Sequence, residues 1–154
     1  MNNLLSLNIN KKLQWRMIED INWNYLAKNY GGNVNGKNVT AYDKVKDYCL
    51  DNFTINETIL VYNFIVEKRE ELKEFILKYQ EKIKCYLSDD ILLDLCSHII
   101  GLGESMYDLV KTDPTIIKNI SPYVVENFEY GFTAAIYEFH LSNDDDETNS
   151  DIER

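Results

Sequence analysis

The sequence predicts an all-α, single-domain bundle of five to seven helices with one long helix. Three observations lead there. Apolar side chains recur at three- and four-residue steps along most of the chain, which is the spacing of one helix face. Ser, Thr and Asp stand in capping patterns just ahead of those stretches. Only two Pro and six Gly occur in 154 residues, too few for the many turns of an all-β fold. One domain is the expected count at this length, and such a chain buries roughly 68–70% of its unfolded surface without a disulfide or metal to hold it.

Residues 1–10 carry no strong period and are expected to be an N-terminal arm, loose or a short strand. The helical domain is expected over 11–142. Within 11–30, Leu13, Met17, Ile18, Ile21, Tyr25 and Leu26 fall on one stripe, and Gly31-Gly32 ends the helix because Gly tolerates the left-handed conformation. A polar loop follows to Asn38. Thr40 with Asp43 resembles a capping box, opening a short helix with Ala41, Val45, Tyr48 and Cys49 inward.

Thr54 and Glu57 form a better capping box. The stretch behind it places Tyr62, Ile65, Leu72, Ile76, Tyr79, Ile83 and Tyr86 on one face, as one long helix or as two with a bend near Lys68 to Glu71. The run Glu67-Lys68-Arg69-Glu70-Glu71 is expected to be a solvated face.

Ser88 is an N-cap, with Asp89 and Asp90 at the positive end of the helix dipole and Ile91, Leu92, Leu95, Ile99 and Leu102 inward. Asp113-Pro114 and Ser121-Pro122 each pair a capping residue with Pro at the first helical position. The second pair starts a last helix with Val125, Phe128, Phe132, Ala135, Ile136 and Phe139 inward, ending near Leu141. Residues 143–154 hold too little apolar surface to offset ordering entropy, and a disordered acidic tail is expected.

The net charge of −10 is uneven. Residues 1–84 are +2, residues 85–142 are −7 and residues 143–154 are −5. Such a field repels nucleic acid and anionic membranes and speeds encounter with a basic partner. The three cysteines, Cys49, Cys85 and Cys96, form neither a disulfide framework nor a Cys-x-x-Cys zinc pattern. The N-terminus does not read as a secretory signal, and no stretch is long enough for a membrane span. A cytoplasmic protein with no membrane contact is expected.

The segment 88–114 contains Asp89-Asp90, Leu92, Asp94, Leu95, Ile99-Ile100, Gly103, Tyr107 and Asp113-Pro114. In that order it resembles a bacterial helical domain family of unknown function. Trp15-Arg16-Met17-Ile18-Glu19 is similar to the family's aromatic start. Cys96 stands where the family has Arg, and His98 where it has Trp. The resemblance implies a helical fold and a cytoplasmic place, and carries no activity.

No sequence motif for catalysis or metal binding is present. Gly31-Gly32 with Gly36 and Lys37 lacks the Walker ending, and no Gly-x-Ser-x-Gly elbow occurs. Asp94 and His98 at i, i+4 share a helix face, with Glu104 and Tyr107 a turn or two on. That makes Asp94, His98 and Tyr107 the set a small enzyme would use. Cys96 and His98 diverge by about 200° on a helix and cannot pair as nucleophile and base. Asp89, Asp90 and Asp94 cluster, but without the His spacing of a metal bundle site.

Several aromatics lie off the core stripes: Trp15, Trp23, Tyr30, Tyr42, Tyr123, Tyr130 and Tyr137. Tyr beside carboxylates is a common interface composition.

The leading expectation is therefore a non-enzymatic, acidic protein-binding module, an immunity or inhibitor protein masking a basic toxin or nucleic-acid-handling partner. Asp89, Asp90, Asp94, Glu104, Asp108, Glu126 and Glu129 would face the partner, with Tyr123 and Tyr130 as anchors. No cofactor, metal or direct nucleic-acid contact is expected. The alternatives are a homo-oligomeric scaffold built on residues 55–86, and the small enzyme using Asp94, His98 and Tyr107.

Overall fold

The structure is a computed structural model. It describes the backbone of residues 2–30, 39–84, 87–120 and 127–152, and side chains within 11–30, 39–84, 87–120 and 127–142. The described residues are all-α, with no strand among them. The helices are α1 (Asn2–Ile21), α2 (Trp23–Tyr30), α3 (Ala41–Asn52), α4 (Ile55–Lys78), α5 (Gln80–Ile83), α6 (Asp89–Leu102), α7 (Glu104–Thr112), α8 (Ile117–Ile120) and α9 (Glu129–Ile152). A 3-10 turn, Pro114–Ile116, precedes α8. The long helix expected after Thr54 is α4, with 24 residues; α1 has 20 and α9 24. None is long and apolar enough to cross a membrane.

The caps form where the side chains demand them. Thr40 Oγ1 accepts from the Asp43 N–H (3.3 Å), and Asp43 Oδ2 accepts from the Thr40 N–H (3.2 Å). Thr54 and Glu57 repeat this reciprocal pair at 3.1 and 2.9 Å. Ser88 Oγ accepts from the Ile91 N–H, and Asp113 Oδ1 from the Thr115 N–H. Each pairing satisfies a donor that the first helical turn otherwise leaves orphaned.

The chain departs from expectation at its helix breaks. The helix expected across 11–30 is two, divided at Asn22, whose φ of 60° is left-handed. Asn is one of the few residues other than Gly that tolerate this conformation. Beyond the break Trp23 is buried and Tyr25, expected inward, is about half exposed; within α1, Trp15 is buried and Leu13, expected inward, is about half exposed. The long stretch after Thr54 breaks at Tyr79, not near Lys68 to Glu71. The Tyr79 N–H is shared between the carbonyls of Phe75 and Ile76, and Lys84 then ends α5 with φ 54°.

Residues 2–10, expected as an arm, are helical backbone within α1, and residues 143–152, expected as a disordered tail, are helical backbone within α9. Once a helix is nucleated, each further residue adds a hydrogen bond for a single residue's entropy. The expected loop 31–38, Tyr86 and the Ser121-Pro122 start lie outside the described residues.

At the centre lies α6, buried continuously from Leu95 to Gly101. It packs on α4, α2, α1 and α7, while α9 packs on α3 and α4. Leu92, Leu95, Ile99 and Ile100 are at most 1% exposed, and each such side chain contributes roughly 1.5–3 kcal/mol by burial. Ile91, expected inward, is 49% exposed, whereas its neighbour Leu92 is 1% exposed and takes the inward position of that turn. Gly103, with φ 111°, turns the chain from α6 into α7.

Candidate functional site

Two clefts divide the residues singled out from the sequence. The first has a volume of about 180 Å3 and opens between α4, the start of α6 and the start of α9. Asp90, Leu93 and Asp94 line it from α6, Arg69 from α4, and Asn127, Glu129 and Tyr130 from the head of α9. It thus brings together Asp90, Asp94, Glu129 and Tyr130 of the expected set. Asp89 is exposed on the same first turn of α6.

A hydrogen-bonded chain forms the back of this cleft. Asn127 Oδ1 accepts from Ser97 Oγ (2.8 Å) and from the Glu129 N–H (2.8 Å), and Ser97 Oγ also accepts from the Glu129 N–H (3.0 Å). Asn127 Nδ2 donates to Asp94 Oδ1 at 2.9 Å. Arg69 Nη1 donates to Glu129 Oε2 at 2.6 Å, and Arg69 Nη2 reaches Glu70 at 3.2 Å. Asn127 therefore accepts the first N–H of α9, and Arg69 is the counter-ion of its first carboxylate.

Glu129 does not face outward as expected. Its side chain is 6% exposed and Arg69 neutralises it. Burial raises the Glu129 pKa, and the guanidinium only partly offsets that. Burial works against the Arg69 charge, but Glu129 and Glu70 outweigh it and raise the Arg69 pKa. Among the described residues, Arg69 Nε and Glu129 Oε1 are buried without hydrogen-bond partners. The run Glu67 to Glu71 is accordingly only in part a solvated face. Arg69 closes the polar back wall, and Lys68 packs over the rings of Phe64 (5.6 Å) and Tyr107 (5.8 Å).

The second cleft, about 360 Å3, lies between α1, α4 and α7. Glu104 and Asp108 line it, but so do Lys11, Lys12 and Lys68, with Trp15 and Tyr107 beneath. These two carboxylates therefore stand among lysines from the first half of the chain and do not extend the acidic face. Tyr123 and Glu126 lie outside the described residues.

Asp94, His98 and Tyr107 do not converge. Asp94 is held by Asn127. His98 Nδ1 accepts from the Trp23 indole Nε1–H at 3.0 Å, and burial lowers its pKa to about 4. Tyr107 donates to Glu71 Oε2 at 2.9 Å; burial first, then that bond, raises its pKa. The donation, with Lys68, lowers the Glu71 pKa against the opposing effect of burial. Burial pushes the Cys49 and Cys96 thiols up to about 12, far from thiolate reactivity. No three His, Cys, Asp or Glu among the described residues are grouped to hold a metal.

Sequence reasoning missed Arg69, Leu93 and Asn127. Arg69 gave a signal, being a charged residue in the register of Ile65, Leu72 and Ile76. Asn127 gave only the general preference of Asn for helix starts, and Leu93 gave none. The chain matches no protein-family model, no curated protein and no solved structure with which it was compared.

Proposed function

We propose that this chain is an acidic protein-binding module that masks a basic partner, as an immunity or inhibitor protein occludes a toxin or a nucleic-acid-handling protein. One observation carries the reading. In the α4/α6/α9 cleft, Asp90 and Asp94 stand beside the exposed ring of Tyr130, and the single cation among the described residues that line it, Arg69, is already committed to Glu129 and Glu70. Counted over the described lining side chains, the cleft is −2.

Its size favours a side chain over a metabolite. At about 180 Å3 it is smaller than the roughly 300–1,000 Å3 of small-molecule pockets. A protruding Arg or Lys fills such a space, with its charge on Asp90 and Asp94 and its stem or guanidinium plane against Tyr130. Asp89 and the acidic end of the chain add a long-range field that speeds encounter.

Immobilised protein probed with an oligo-arginine peptide tests this. Binding is expected to weaken steeply as salt rises, and Asp90→Lys is expected to weaken it about tenfold or more at low salt. Equal binding by wild type and Asp90→Lys would place the cationic contact elsewhere and contradict the reading.

A further inference from the structure

We propose that the α1/α4/α7 cleft is a receptor for a small zwitterion of amino-acid or dipeptide size. This is separate from the masking of a basic partner and does not depend on it.

The cleft has walls of opposite sign. Lys11 and Lys12 sit one turn ahead of Trp15 on α1, so all three share a face, while Lys68 from α4 lies over the Tyr107 ring at 5.8 Å. Opposite, Glu104 and Asp108 are i, i+4 on α7 with Tyr107 between them. Beneath lies the Trp15–Tyr107 ring pair, 5% and 4% exposed, with centroids 5.4 Å apart.

Among the described residues, neither Lys11 nor Lys12 forms an ion pair with Glu104 or Asp108, although all four line one cavity. Lys68 is bridged to Glu71 (3.3 Å), away from the α7 carboxylates. Unpaired charges of both signs across one space are complementary to a molecule that carries both signs itself. The ligand's carboxylate would meet the α1 lysines and its ammonium the α7 carboxylates.

A bare anion would satisfy one wall and leave Glu104 and Asp108 facing it. A bare cation would do the reverse. The volume of about 360 Å3 falls within the small-molecule range, unlike that of the other cleft.

The chain has two Trp, so indole N–H resonances separate the sites: Trp15 lies beneath this cleft, while Trp23 is bonded to His98 and serves as an internal check of the fold. The full chain is titrated with glycine, glutamate, lysine, phenylalanine and glycylglycine, each to about 10 mM. At least one is expected to shift the Trp15 signal saturably without moving Trp23. Lys12→Gln and Asp108→Asn, both at exposed positions, are each expected to weaken that binding about tenfold, as are the N-acetyl and methyl-ester forms of the ligand. If none of the five moves Trp15, the proposal is overturned. If inorganic phosphate moves it as far and Asp108→Asn has no effect, the cleft is an anion site and the proposal is equally overturned.

Discussion

Arg69 and Glu129 show how a single charged residue organises the cleft. The pair draws α4 to the head of α9 across 60 residues of sequence, with one partner nearly sealed from water. Removing one member of such a pair leaves the other charge uncompensated, which costs more than removing both. Arg69→Met is therefore expected to destabilise the fold by roughly 3 kcal/mol in urea denaturation. Arg69→Met with Glu129→Met is expected to recover most of that loss. Additive losses would show that the pair is not coupled.

His98 is the second such residue. It is an imidazole kept neutral by burial, with Nδ1 committed to the Trp23 indole. Its folded pKa, about 4, lies below its ordinary 6.5, so the unfolded chain binds the extra proton first. The stability it contributes is complete above pH 6.5 and is lost as pH falls toward 4. Glu129, whose pKa is raised, has the opposite sign just above its ordinary value, so the comparison must be made against a variant. Wild type is expected to lose about 2 kcal/mol between pH 7 and pH 5 relative to His98→Gln, whose amide can still accept from Trp23. No difference between the two pH profiles would mean that His98 titrates normally.

At the scale of elements, α3 and α9 approach so closely that Gly131 is obligatory. A methyl group there would stand 2.5 Å from Val45 Cβ and 2.8 Å from the Tyr42 carbonyl oxygen. Ala is the better helix former by about 1 kcal/mol, but a clash with backbone and a buried β-branched side chain outweighs that. Gly131→Ala is expected to cost roughly 1–3 kcal/mol of stability, and an unchanged or raised melting temperature would contradict the close approach.

Helix starts were legible at this scale because a cap is a local event, a side chain meeting a backbone N–H two or three residues on. Thr40, Thr54, Ser88 and Asp113 all announce themselves. The break at Asn22 was not legible, because the apolar period runs through it and only the tolerance of Asn for positive φ hinted at a turn. The break at Tyr79 carries no sequence mark at all. Asn127 meets the head of α9 locally, through the Glu129 N–H two residues on, but its bond to Ser97, 30 residues away, is one that no local pattern encodes.

Across the whole molecule, the all-α class followed from period and caps, which are local. The site did not, because it depends on which helices meet. The acidic C-terminal half, read as one face, is divided by the fold. Asp89, Asp90 and Asp94 keep an anionic edge, Glu129 turns inward to Arg69, and Glu104 with Asp108 faces lysines of α1 and α4. The acidic character of residues 143–154 offers a cationic partner a second, non-specific attraction. The most direct discrimination is amide chemical-shift mapping with an oligo-arginine peptide on wild type and Asp90→Asn. Masking through the cleft predicts shifts concentrated at Asp90, Asp94, Asn127 and Tyr130 and largely lost in Asp90→Asn. Shifts confined to residues 143–154, or unchanged in the variant, would contradict it.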